Sequence, residues 1–101
     1  MPTPKMYVLV RKDLAETFRV VQGSHAVCKY ALEHYDQFKL WNNETIVYLG
    51  VWNLIDLREW NIKLVKANKV FSIFREPDLD HQETAIACYD DGIIFKDLKM
   101  A

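Results

Sequence analysis

Two cysteines are all the 101-residue sequence holds, Cys28 and Cys88, far apart and set among apolar residues. That excludes a secreted-type disulfide framework and reads as two buried thiols in a reduced compartment. Glycine is also scarce, with three in the chain, and no glycine-rich phosphate loop, linker or low-complexity segment can be drawn from them. No apolar stretch approaches the length that spans a bilayer, and Met1-Pro2-Thr3-Pro4-Lys5 lacks the apolar run of a signal peptide. An excess of one charge is missing too. Thirteen basic residues stand against 14 acidic ones, so no global basic field draws in nucleic acid, although a local basic patch is compatible with this balance. Nucleophile elbows and metal-ligand spacings are absent, and no cofactor or metal is expected. What remains is a single cytoplasmic domain over residues 1–101, with no membrane partner.

Half of the residues are hydrophobic, and they fall into distinct runs. Met6-Tyr7-Val8-Leu9-Val10 suits a central strand buried on both faces, and Arg11-Lys12-Asp13 ends it where a ligand crevice usually opens. Asp13 and Glu16 have capping-box spacing, which predicts a helix from about Leu14 to Phe38. Within it, Val21, Ser24, Cys28, Leu32 and Tyr35 recur at helical spacing and mark the face expected to pack on a sheet. Gly23 weakens a helix by about 1 kcal/mol unless close packing uses its missing side chain, so another backbone is expected there. Residues 45–51 form the second strand, and Asn53 or Asp56 caps a second helix with Leu57, Trp60 and Leu64 along one face, ended near Asn68. Residues 70–74 and 84–89 are the third and fourth strands. The loop between them is too short for a crossover helix, so the last strand runs antiparallel. The fold class is therefore α/β: a three-layer α/β/α domain with a four-stranded mixed sheet, in the order β-α-β-α-β-β plus a short C-terminal element.

The polar residues Gln22, Ser24 and His25 interrupt the first helix and need partners. His25 is the candidate acid–base group, because its pKa lies nearest neutrality. Arg11, Lys12 and Arg19, near the helix N-terminus, can bind a phosphate or form a solvated basic edge. Glu76 and Asp78 leave the third strand at the same sheet edge, where a carboxylate can orient His25 or simply shape a turn. His34 and His81 read as surface residues. Trp41, Trp52 and Trp60 can stack on bases, yet their scatter over three elements points to core or subunit-interface roles, and a homodimer is expected.

Taken together, Arg11-Lys12-Asp13-Leu14, Gln22-Gly23-Ser24-His25-Ala26, Arg75-Glu76 and Thr84-Ala85-Ile86-Ala87 resemble the peptidyl-tRNA hydrolase II family across essentially the whole chain. The resemblance implies a four-stranded mixed sheet between helices and metal-independent cleavage of the ester joining a peptide to tRNA. It implies that His25 activates water and that Glu76 or Asp78 supports it. Gln22, Ser24 and Thr84 then line the site, with Arg11, Lys12 and Arg19 as phosphate contacts. Where the family carries a lysine, this chain has Phe18. Arg19, one position on, is rotated by about 100° and cannot act as a base. The alternative is a non-catalytic module of the same fold that binds a partner or small ligand.

Overall fold

A computed structural model describes residues 3–101; Met1 and Pro2, part of the N-terminal stretch and of the domain bounds read above, lie outside them. Four strands, β1 (Lys5–Arg11), β2 (Ile46–Val51), β3 (Ser72–Glu76) and β4 (Gln82–Asp90), form one mixed sheet. Its order is β2-β1-β4-β3. The β1–β2 pair is parallel, while β4 runs antiparallel to both β1 and β3. Three helices, α1 (Glu16–Glu33), α2 (Tyr35–Trp41) and α3 (Leu54–Lys66), cover the sheet. The α/β fold with its last strand antiparallel is thus the one expected.

Strand alternation divides the core in two. Met6, Val8 and Val10 of β1 join Ala85 and Ala87 of β4 under Ala26 and Tyr30 of α1 and Trp41 of α2. On the other face Leu9, Leu49, Val51 and Ile86 meet Leu57, Trp60 and Leu64 of α3, with Phe95 closing the cluster. As the sequence suggests, Asn53 caps α3: its Oδ1 accepts the Asp56 N–H at 3.0 Å, while the Asp56 carboxylate accepts the Trp52 N–H at 2.9 Å. The helix ends in a Schellman turn, with Asn68 left-handed and the Lys69 N–H reaching the Leu64 carbonyl at 3.0 Å. Beyond β4, residues 99–101 run along the outer edge of β2, where the Gly50 N–H donates to the Lys99 carbonyl. That shields an edge strand that would otherwise be open to pairing.

The first helix departs from expectation. It starts at Glu16 after an uncapped Ala15, because the Asp13 carboxylate is already taken by Arg11. It breaks at His34, so the single helix to Phe38 is two helices. The His34 N–H donates to the Tyr30 carbonyl and its Nε2 lies 2.9 Å from the Phe71 carbonyl, so His34 is a junction residue rather than a surface one. Its rotation is also different. Val21, Ser24, Cys28, Leu32 and Tyr35 are exposed, Leu32 to 86%, whereas Gln22, Gly23, Ala26 and Tyr30 are buried. The cause is close approach. A Cβ at Gly23 would lie 2.4 Å from the Tyr48 ring, so it is a side chain of β2, not another backbone, that fills the space. Only glycine fits opposite that ring, and this close approach sets the rotation of the helix against the larger apolar stripe.

The two thiols differ accordingly. Cys28 is exposed, contrary to expectation, while Cys88 is buried, donates to the Val70 carbonyl and has its thiol pushed up to about 12 by burial. Thiol titration of the folded protein is expected to label one cysteine per chain, Cys28, with Cys88 reacting only after unfolding. Fast labelling of both in the native state would contradict this packing.

Candidate functional site

Gln22 is the point at which α1 is tied to the sheet. Its side chain is wholly buried, and its Nε2 donates to Glu76 Oε1 at 2.7 Å while its Oε1 accepts from the Thr84 hydroxyl. The orientation of the amide is dictated by its partners, since a carboxylate can only accept. One helix residue thereby joins β3 and β4 at the edge where the crevice was expected.

Thr84 reaches Gln22 because of a β-bulge. Phe74 pairs with Ala85, but Arg75 pairs with Glu83, leaving Thr84 as an extra residue on β4. Strict alternation from Ile86 and Cys88 would send Thr84 to the α3 face, and the bulge turns it back towards α1. Nothing in the residue pattern announces this irregularity, so Thr84 was reachable only through the family resemblance. Glu83 is left on the α3 face, where Arg58 holds its carboxylate at 3.1 and 3.2 Å.

His25 is exposed, one turn from Gln22, and its ring stacks on Phe74 with centroids 4.6 Å apart. Phe74, two residues before Glu76, was not singled out in the sequence, although its aromatic side chain at the strand end was the available signal. Glu76 is held below the ordinary carboxylate range, mainly by the Gln22 hydrogen bond and then by the Asp78 N–H, with the charge of His25 adding to both against desolvation. An ionised carboxylate and an exposed imidazole thus share this edge of the sheet. Asp78 contributes its backbone N–H, at 3.3 Å, while its side chain is exposed.

The three cations do not converge here. Arg11 is buried, with Nε and Nη2 on the Asp13 carboxylate and Nη1 on Gln82 and the Glu83 carbonyl. Arg19 folds back onto the Leu14 and Lys12 carbonyls, both at 2.6 Å, and braces the loop after β1. Lys12 points to the α3 side, its ammonium 4.5 Å from the Trp52 ring centre. Ser24 turns to its own helix, its hydroxyl donating to the Val20 carbonyl. The structure therefore groups His25, Gln22, Glu76 and Thr84 and leaves Arg11, Lys12, Arg19 and Ser24 outside that group. Among the described residues, no three His, Cys, Asp or Glu side chains are placed to share a metal ion, and no helix is long and apolar enough to cross a membrane.

No protein-family model matches the chain, and no curated protein matches it. Among solved structures it is similar to a protein of unknown function from Agrobacterium tumefaciens strain C58, with a TM-score of 0.72 at 15% identity over 100% of this chain and 99% of that one. At that identity the likeness extends to the fold.

Proposed function

We propose that the chain is a metal-independent hydrolase of the kind its resemblance to peptidyl-tRNA hydrolase II suggests, cleaving an acyl ester of tRNA or of a related adduct. His25 takes a proton from water as the oxygen attacks the ester carbonyl. The tetrahedral oxyanion then collapses and expels the alkoxide, which receives the proton from the imidazolium. Acid and alcohol are the products. Glu76 stabilises the imidazolium, and Gln22 and Thr84 are positioning residues that fix Glu76.

One observation supports this reading above the others: the buried Gln22 bridge holds an ionised Glu76 beside an exposed His25 whose ring Phe74 fixes. The test is release of labelled peptide from peptidyl-tRNA. His25→Ala is expected to slow release roughly 100-fold or more, the usual scale for losing a general base. No release by pure wild-type protein, where an active family member works, sinks the proposal.

The second reading, a non-catalytic module that self-associates, draws on the outward face of α1. Thr17, Val21, Ser24, Cys28 and Leu32 are all exposed and lie within about 80° of one another on the helix, with no charged side chain among them. Sedimentation separates the two readings: an inactive protein forming a salt-insensitive dimer that Leu32→Glu disperses is the module.

A further inference from the structure

On the sheet face remote from His25, the loop after β2, helix α3 and the segment after β4 enclose an open groove of about 690 Å³. Trp52 and Trp60, scattered in sequence, both line it. Trp60 forms the floor and is 7% exposed, packed on Phe95 with Lys63 over its ring at 4.6 Å. Trp52 stands on the rim and is 70% exposed. Its backbone is fixed by the α3 cap, through the hydrogen bond to Asp56.

A second feature shows that the rim is built. Gly50 lies inside β2, where glycine weakens a strand and often marks a close approach. A Cβ at Gly50 would lie 2.2 Å from Cε of Lys12. The missing side chain lets the Lys12 stem lie across the strand, with its ammonium over Trp52. A smaller recess, about 240 Å³, continues the groove between Lys12 and Lys99 and shares Trp52 with it.

Charge gives the occupant. Lys12, Lys63, Lys66 and Lys99 line the two connected recesses against Asp56 and Asp97, an excess of two positive charges on a chain whose net charge is −1. Among the described residues, the ion pairs are Arg11–Asp13, Arg58–Glu83 and Lys69–Asp90, so none of these four lysines is paired. An exposed indole among unpaired ammonium groups is the combination that holds single-stranded nucleic acid, the base stacking on the ring and the phosphates meeting the lysines. We infer that this groove binds a short single-stranded nucleic-acid segment, with one base stacked on Trp52 and its flanking phosphates on Lys63, Lys66 and Lys99. The inference goes beyond the hydrolase proposal and does not rest on it, because it concerns binding on a different face and is read without turnover.

The test is fluorescence anisotropy of an end-labelled hexa-adenylate RNA with the intact chain. Binding is expected at about 50 mM salt and to weaken as salt rises. Trp52→Ala is expected to weaken it about fivefold or more, with an unchanged melting curve because the ring is exposed, and Trp52→Phe to recover much of the loss. Lys63→Ala with Lys66→Ala is expected to reduce the salt slope by about 1.4, the value for two phosphate contacts on a single strand. Absence of binding by wild-type protein overturns the inference, as does unchanged binding by Trp52→Ala. Equal affinity for an RNA duplex, for adenosine monophosphate or for a polyglutamate peptide overturns it as well. A failed hydrolysis assay alongside normal RNA binding leaves it intact.

Discussion

Replacing Gln22 by leucine is expected to lower the melting temperature by roughly 8–16 °C, from about 2 kcal/mol of lost stability. Leucine nearly fills the space, so the effect is polar rather than a cavity. It leaves the Thr84 hydroxyl buried with only the Phe74 carbonyl at 3.5 Å as a partner, and it cuts the tie from α1 to β3 and β4. Glu76 lies at the margin of burial and can turn towards water, so most of the loss falls on Thr84 and the bridge. Thermal denaturation of Gln22→Leu and Thr84→Val measures both. If Gln22→Leu melts with wild type, the bridge is not what fixes the helix.

Acid titration adds a signature. Because folding depresses the Glu76 pKa below its ordinary 4.5, Glu76 contributes stability that is present above that value and lost as pH falls through the folded one. Below about pH 4.5 wild type is expected to lose stability more steeply than Gln22→Leu, which lacks the main cause of the depression. Asp13 and Glu83, lowered by Arg11 and Arg58, act with the same sign in both proteins, so the difference between the curves belongs to Glu76.

The sheet was legible because its signals are local and strong. Met6 to Val10 can hardly be anything but a buried central strand, and the short polar loop after β3 permits only an antiparallel return. Helix α3 was legible for the same reason, since Asn53, Leu57, Trp60 and Leu64 agree on its start and its face. Helix α1 misled because hydrophobic periodicity counts side chains and not the room available for them. Val21 and Leu32 lost the buried face to Gly23 and Ala26 once the Tyr48 ring occupied the glycine notch. At the site, the Gln22–Glu76 contact spans 54 residues, and the bulge that turns Thr84 exists only in strand pairing. The same limit hid the groove: Trp52, Trp60 and Lys12 share a surface only after the sheet has formed.

Arg11→Met is expected to destabilise the fold by about 2–3 kcal/mol, roughly 8–24 °C in melting temperature, and to leave substrate affinity unchanged. The family resemblance implies a phosphate contact at this position, but a guanidinium can serve only the acceptors it faces. Arg11 is 6% exposed and spends both ends of its fork inside the chain, on Asp13 at 3.0 and 2.7 Å and on Gln82 and the Glu83 carbonyl at 3.0 and 3.1 Å. Binding a phosphate would require it to release Asp13, exchanging one anion for another with no gain in charge pairing. Methionine keeps the length of the stem and removes the donors, so the Glu83 carbonyl and Gln82 lose their partner while Asp13, 40% exposed, recovers water. That recovery holds the loss below what a fully buried ion pair would give. Melting temperature and KM separate the two roles. A fall in melting temperature with KM unchanged makes Arg11 the clamp between the end of β1 and the start of β4. A KM raised many-fold at an unchanged melting temperature would return it to the substrate.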